Sequence, residues 1–363
     1  MRRSILCATI LAGALPFAAQ AGVITAWNGD NVVTDPGPYI AEVPYYSVIY
    51  DQDVTGGTGG ATTNGRIAFE EPEATAPGLK VVNDGPDLNP NQDFTNCVMA
   101  SSPATCESPF QSGKRFKQQI TDIGPIDMVF DVSDEEGDTA YRVFQKVSNY
   151  TDGKLGGFDI ELGFGLGDGF EMSIDGDGLG FDLTEGARAR FPFGLFGDAD
   201  TNQNHQTDGF FDPTARSGFN VSLTEDLLST ESLFGMYDDF FGAWLNFDNV
   251  PQGYFWDDDG DPETEALLVA YQNDQGDWVD SDGLVVNEQD LIDAGYEIGI
   301  IEDLANLNVD YFLQIGDVTG WSSWDGQTAS FTLRLTPNEV PVPATLSLLG
   351  MGALLLGARR RKS

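Results

Sequence analysis

The residues with the most specific chemistry form an alternating pattern of acids and amides in the second half of the chain. Oxygen-bearing side chains recur there at close spacing, and the candidate ligands are Asp198, Asp200, Asn202, Asn204 and Asp208. Calcium takes roughly 6–8 oxygen ligands, and an EF-hand loop supplies them from alternating positions. The match is partial, because Gln203 and Gly209 stand where such a loop has glycine and a bidentate glutamate. The segment therefore predicts either a calcium site or a polar turn closed by Asp and Asn side chains.

A weaker calcium candidate is the sequence Ser-Ile-Asp-Gly-Asp-Gly, which places Asp175 and Asp177 two residues apart. It resembles half of a calcium loop, and short acidic runs of this kind also occur as solvated loops. A bound cation here would be structural, because it would neutralise carboxylates that otherwise repel one another. Calcium is the one cofactor that the sequence predicts.

Catalytic chemistry has little support in the sequence. His205 is the single histidine, and it lies inside the Asp/Asn-rich segment. The chain has no Gly-x-Ser-x-Gly elbow, phosphate-binding loop or zinc-type histidine pair. With 58 acidic residues some carboxylate pair is inevitable, so a paired-carboxylate mechanism is not specified by any one pair. We expect a protein that is not an enzyme, with a secreted polysaccharide hydrolase as the least favoured alternative.

An aromatic segment suggests carbohydrate binding as the main alternative function. Tyr254 and Trp256 stand beside acidic residues, and sugars stack on aromatic faces while their hydroxyls bond to carboxylates. These aromatic residues are equally compatible with core positions in a strand. The alternative hypothesis is therefore a carbohydrate-binding matrix module that contacts exopolysaccharide.

The elements that must position these residues are mostly strands. Alternation of apolar and polar residues predicts strands at 44–50, 65–69, 79–82, 126–132, 141–147, 158–164, 267–271 and 330–335. We predict a mainly β protein with an antiparallel β-sandwich-like body and a few short helices. Helices are predicted at 223–230 and 232–245, and a third is capped by Asn287. The body spans residues 22–339, with a possible soft division near 149–157.

The charge of the body restricts its partners. Six of the 18 basic residues and none of the 58 acidic ones lie in the two terminal segments. The body therefore carries 12 basic against 58 acidic residues, a net charge of −46. This charge disfavours nucleic acid as a partner, and it is compatible with cation binding or with solubility in a salty environment.

Two cysteines remain in the body, Cys97 and Cys106, in a polar stretch. In an exported protein such a close pair predicts a disulfide. Closing a loop of this size would stabilise the fold by roughly 2.5–3 kcal/mol on the chain-entropy model.

The N-terminus has the three parts of a signal peptide. Arg2 and Arg3 precede an apolar stretch, and Ala19-Gln20-Ala21 is a small-x-small cleavage site. We predict a signal peptide over residues 1–21 and a mature chain that begins near Gly22.

The C-terminus combines a proline pair, an apolar segment and a basic end. Pro341 and Pro343 precede residues 344–358, a stretch of 15 residues without charge. As a helix this stretch spans about 22 Å, which is marginal for a bilayer core of about 30 Å. The basic residues that follow are Arg359, Arg360, Arg361 and Lys362. They predict one C-terminal transmembrane helix with the body outside.

This C-terminal arrangement resembles the PEP-CTERM sorting signal of Gram-negative bacteria, in its Val-Pro-x-Pro-Ala variant. The family's usual glutamate is replaced here by Val342. The resemblance covers residues 340–363 and implies an exosortase-type membrane protease as partner. It also implies transient anchoring in the inner membrane, cleavage near the prolines, and delivery to the cell surface or the extracellular matrix.

The body has a second, more diffuse resemblance, to the bacterial surface proteins called choice-of-anchor F. The segments that carry it are 24–28, 96–97 with Cys106, 111–117, 155–158, 178–181 and 191–198. That family is defined by its anchoring, so no chemical activity is implied. Together these features predict a non-enzymatic surface or biofilm-matrix protein, with bound calcium as one possible source of its stability.

Overall fold

The computed structural model describes residues 21–34, 45–69, 80–83, 97–99, 116–135, 140–192, 195, 210–211, 218–234, 236–257 and 266–340. The strands are β1 (Ala21–Asn28), β2 (Val32–Thr34), β3 (Tyr45–Ile49), β4 (Gly65–Phe69), β5 (Lys80–Asn83), β6 (Cys97–Met99), β7 (Phe116–Ile120), β8 (Ile126–Glu135), β9 (Ala140–Asn149), β10 (Leu155–Phe164), β11 (Glu171–Met172), β12 (Leu179–Phe181), β13 (Arg188–Arg190), β14 (Gly218–Leu223), β15 (Leu227–Phe234), β16 (Gln252–Trp256), β17 (Leu267–Gln272), β18 (Trp278–Asp280), β19 (Val285–Val286), β20 (Glu297–Ile300), β21 (Asn306–Ile315) and β22 (Thr328–Glu339). The described ranges include the short helices α1 (Met236–Phe241) and α2 (Glu288–Asp293). Single 3₁₀ turns occupy Gly167–Gly169, Phe247–Asn249 and Glu302–Ala305. The predicted mainly β, antiparallel class is confirmed.

The large sheet is a continuous path of paired strands. One half runs β3–β4–β7–β9–β21, and the other runs β15–β10–β22–β8–β1. Strands β13 and β14 join the two halves. The pairing of β7 with β9 is parallel, and the other strand neighbours just named are antiparallel. The two halves also contact each other directly, because the Ile24 backbone N–H donates to the Tyr141 hydroxyl at 3.0 Å.

Alternation of side chains explains how the strands close around one core. On β10, Phe158, Ile160 and Leu162 are fully buried, whereas the intervening residues Asp159 and Glu161 lie on the opposite face. On β22 the apolar residues Phe331, Leu333 and Leu335 are buried as the sequence predicted, and Thr332 between them is buried as well. Burial of each large apolar side chain stabilises the fold by about 1.5–3 kcal/mol. The main core takes side chains from both sides of the predicted division at 149–157, because Val147 and Phe158 both belong to it.

The helix predictions have mixed outcomes. The helix at 223–230 is wrong, because β14 and β15 form a hairpin there. The Thr224 hydroxyl donates to the Asp226 carboxylate and to the Leu227 carbonyl, which stabilises a turn in place of a helix. The helix at 232–245 is too long, because α1 ends where Gly242 adopts a φ of +69°. The cap by Asn287 is confirmed, since its side chain accepts from the Gln289 N–H.

A smaller five-stranded sheet is inserted between β15 and β21. Its strands lie in the order β19–β18–β17–β16–β20. Tyr271 and Val279 from this sheet belong to the main core, so the sheet packs on the body. A second, satellite core contains Tyr254, Ala270, Trp278 and Leu291, and α2 contributes the last of these.

Candidate functional site

The last strand, β22, leads directly to the predicted sorting segment. Residues 328–335 pair with β8, and residues 332–339 pair with β10. The strand is therefore held on both sides only in its middle, and its last four residues, 336–339, pair with β10 alone. We call residues 334–340 the sorting junction, because they contain the end of the strand and the exit of the chain.

A buried ion pair anchors the sorting junction at its N-terminal side. Arg334 donates from Nε to Asp127 Oδ1 at 2.6 Å and from Nη2 to Asp127 Oδ2 at 2.7 Å. The side chains are 13 % and 2 % exposed. Gly167 completes the arrangement, since its N–H donates to the carboxylate and its carbonyl accepts from the guanidinium, both at 2.8 Å. The Arg334 Cζ atom also lies 3.9 Å from the centre of the Phe170 ring.

The register of the sheet places a second carboxylate on the other side of the arginine. Glu161 lies directly opposite Arg334 on β10. Burial raises the pKa of the Glu161 carboxyl, and the positive charge of Arg334 opposes this effect. The polar face of β22 is thus a partly buried charge network at the point where two-sided strand pairing ends.

The chain leaves the body through a close backbone contact. Glu339 is opposite Leu155, and Asn338 is opposite Gly157, so Gly156 is the extra residue of a bulge. A Cβ on Gly156 would lie 3.1 Å from the Glu339 carbonyl oxygen, closer than most side chains tolerate. Gly157 has a φ of +150°, which favours glycine. The exit of the chain therefore depends on a glycine pair in β10.

The predicted sorting residues follow this exit immediately. Pro341, Pro343 and Arg359–Arg361 lie outside the described residues, as does the predicted membrane span 344–358. Val340 is the last described residue, and its side chain is exposed. Within the described ranges, which stop at Val340, no helix is long and apolar enough to cross a membrane.

The calcium candidates are only partly placed. The stronger set, with Asp198, Asp200, Asn202, Asn204 and Asp208, lies outside the described residues. Asp177 organises its own turn, because its carboxylate accepts from the Ser173 hydroxyl, the Ile174 N–H and the Leu179 N–H. In the part of the chain that the structure describes, no group of three or more His, Cys, Asp or Glu side chains is placed to share a cation.

Asp175 has a neighbour that sequence reasoning missed. Its carboxylate lies close enough to Glu225 for repulsion and a hydrogen bond to raise the pKa of the Glu225 carboxyl. The two residues are 50 positions apart, and no spacing pattern in the sequence connects them. A cation at this pair would relieve the repulsion between the two carboxylates.

Several other acidic residues close turns. Asp53, Asp182 and Asp317 each accept from the backbone N–H and the hydroxyl of a threonine two positions later. The Thr319 hydroxyl and N–H lower the pKa of Asp317, and Thr55 acts in the same way on Asp53. Some of the acidic residues of the body therefore stabilise turns, and this role is the alternative to metal binding for them.

The two carbohydrate candidates have different environments. Tyr254 is 4 % exposed and packs on Trp278, with ring centres 4.6 Å apart, so it is a core residue of the small sheet. Its ring is therefore not available as a stacking platform. Trp256 is 50 % exposed and lies beside Tyr296, with ring centres 6.5 Å apart.

The predicted disulfide stays a prediction. Cys97 begins β6, and Cys106 lies outside the described residues.

The folded body and its C-terminal segment define a class of protein. A compact β body whose last strand leads into a proline pair, an apolar stretch and a basic end is typical of an exported protein that is sorted through its C-terminus. Residues 339–362 match the family model of the PEP-CTERM protein-sorting motif. The chain therefore carries a PEP-CTERM motif, which indicates export, processing by an exosortase-type membrane enzyme, and a final place at the surface or outside the cell.

The match covers the C-terminal segment and not the body. The comparisons with curated proteins and with solved structures found no match to this chain. The resemblance of the body to the choice-of-anchor F proteins is not supported by a family match.

Proposed function

We propose that the protein is a non-enzymatic component of the extracellular matrix, delivered there by cleavage of its C-terminal anchor. The observation that carries this proposal is the continuity of β22 with the sorting motif: the match begins at Glu339, the last residue of the strand. The body is thus coupled to its signal without a separate linker domain. A mature N-terminus near Gly22, after removal of a signal peptide, belongs to the same proposal.

The acidic surface supports a role in a hydrated matrix. A body charge of −46 keeps copies of the protein apart at low ionic strength and attracts counterions. Divalent cations would bring such bodies closer to one another or to acidic polysaccharide. Stabilisation by calcium is part of this proposal, with the segment around Asp198 and Asp200 and the Asp175–Glu225 pair as the places to test.

The test compares cells that have the exosortase-type enzyme with cells that lack it. We expect the body to reach the surface or the medium only in the first strain, and to stay in the inner-membrane fraction of the second. Equal amounts outside both strains would contradict the proposed sorting. A catalytically inactive enzyme is the matched control, because it separates cleavage from mere binding.

A second candidate function is carbohydrate binding, which the exposed Trp256 beside Tyr296 favours. Stacking of a sugar ring on this aromatic pair would be lost on Trp256→Ala. Binding to isolated exopolysaccharide measures this, with Phe240→Ala as the control, since Phe240 is a comparably exposed aromatic residue on α1. Unchanged binding in the Trp256 variant would remove this candidate.

A further inference from the structure

The distance between the folded body and the predicted membrane segment is very short. Four residues, 340–343, separate the end of β22 from Ala344, the first residue of the apolar stretch. The five residue steps from Glu339 to Ala344 span at most about 18 Å when fully extended. The polar headgroup layer on one side of a bilayer takes up roughly 5–8 Å of that. The end of β22 is therefore held within about 13 Å of the headgroups while the protein is anchored.

A protease that binds its substrate as an extended segment needs free backbone on both sides of the bond that it cuts. The proline pair lies within this short tether, so the residues on its N-terminal side are already part of the fold. Glu339 is paired with β10, and its carbonyl lies against Gly156. The residues that precede the proline pair are thus held by the sheet of the body, so they are not free to bind the enzyme.

The structure also shows which residues can be released at the least cost. Residues 336–339 pair on one side only, whereas residues 332–335 just before them are paired on both sides and anchored by Arg334. Pro337 has no backbone N–H to give to the sheet, although its side chain is buried opposite Phe158. Detachment of this segment leaves the Arg334–Asp127 pair in place.

We propose that the exosortase-type enzyme takes up residues 336–339, and that this segment must detach from β10 for cleavage to occur. This inference rests on the proposed sorting of the protein. It identifies the end of β22 as part of the surface that the enzyme engages, and it makes the stability of this strand end a determinant of the processing rate.

The first test lengthens the tether. A flexible Gly-Ser spacer of about ten residues between Glu339 and Val340 adds a mean reach of about 17 Å. Minor conformations of proteins are typically populated at roughly 0.1–10 %, so removing the need for detachment should accelerate processing by about tenfold or more. The matched control places the same spacer in the exposed turn after Gly283. Processing is followed in pulse-chase experiments on the full chain in cells that contain the enzyme.

The second test locks the strand end with a disulfide. Asp159 and Thr336 are directly opposite on β10 and β22, so Asp159→Cys with Thr336→Cys should join them after a small adjustment. We expect slower processing, restored by reductant. The control pair, Ser133→Cys with Thr328→Cys, locks the far end of the same strand. Non-reducing mass spectrometry establishes that each lock has formed.

The outcomes separate the two proposals. A faster spacer variant and a slower Asp159–Thr336 lock, with both controls unchanged, support detachment of the strand end. Equal rates for all variants overturn it, and so does equal slowing by both locks, while the sorting proposal stands. If the unaltered protein is not processed even though the enzyme is present, the sorting proposal itself fails.

Discussion

The ion pair between Arg334 and Asp127 should be the most sensitive polar contact in the sorting junction. Arg334→Met leaves the Asp127 carboxylate, 2 % exposed, without its two charged donors and with only the Gly167 N–H. Breaking a buried pair in this way typically costs about 3–5 kcal/mol. Because the pair joins β8 to β22, the loss falls on the global stability of the body.

The size of the effect can be measured by urea unfolding of the full chain in detergent, followed by tryptophan fluorescence. The double variant Arg334→Met with Asp127→Asn removes the stranded charge, so it should cost about 2 kcal/mol less than the sum of the single variants. The control is Arg188→Met, since the Arg188 side chain is 60 % exposed and its 2.5 Å bond to Asp310 should contribute about 0–1 kcal/mol. A loss below about 1 kcal/mol in Arg334→Met, or additivity in the double variant, would refute this reasoning.

Three further predictions concern other parts of the body. Tyr237→Phe removes a buried hydroxyl that donates to one backbone carbonyl and accepts from one backbone N–H, both at 2.9 Å, so it should destabilise the fold by about 1–3 kcal/mol in urea unfolding. The hydrogen bonds from Thr319 lower the pKa of Asp317, so the stabilisation by the ionised carboxylate is present above the unfolded pKa of about 3.9 and is lost as pH falls through the folded pKa. Asp317→Asn should therefore flatten the pH dependence of the unfolding free energy below about pH 4. An unchanged acid profile would contradict this. The pKa of Glu225 is raised by Asp175, so Glu225→Gln should raise the melting temperature at pH 7 and have little effect near pH 4. If this pair holds calcium, millimolar calcium should raise the melting temperature of the unaltered protein and not that of Glu225→Gln.

Each of the eight predicted strand segments coincides with an observed strand, because burial of one face imposes a period of two on the sequence, but others, such as β1, β7 and β21, were not predicted. The predicted segment 330–335 lies inside β22, and its apolar residues Phe331, Leu333 and Leu335 all face the core as expected. The hairpin of β14 and β15 was missed because Leu223 and Leu227 stand four positions apart, which is the spacing of one helix face. Pairing with β10 determines the conformation of that segment, and no local sequence pattern reveals this pairing.

The contacts that define the sorting junction depend on register between distant strands. Arg334 and Asp127 are 207 positions apart, and only the pairing of β22 with β8 brings them together. The role of Gly156 could not be predicted either, because the sequence around it does not distinguish it from the many glycines in turns. By contrast, the sorting motif could be recognised in the sequence because its residues are contiguous and its physical properties do not depend on the fold of the body.

Tyr254 and Trp256 illustrate the limit of composition as a guide to binding sites. Both belong to one short aromatic segment, yet one is buried and the other is half exposed. A register shift between Tyr254 and Phe255 breaks the simple alternation of faces there. Exposure of an aromatic residue in such a strand follows from the bulge and from packing under α2.

The most direct test of the central claim is the intact mass of the protein recovered from the cell surface or the medium. Removal of the signal peptide predicts a chain that begins near Gly22, and C-terminal sorting predicts that this chain has lost the apolar segment 344–358 with its basic end. Recovery of extracellular protein that still ends in Arg359–Arg361 and Ser363 would contradict the account.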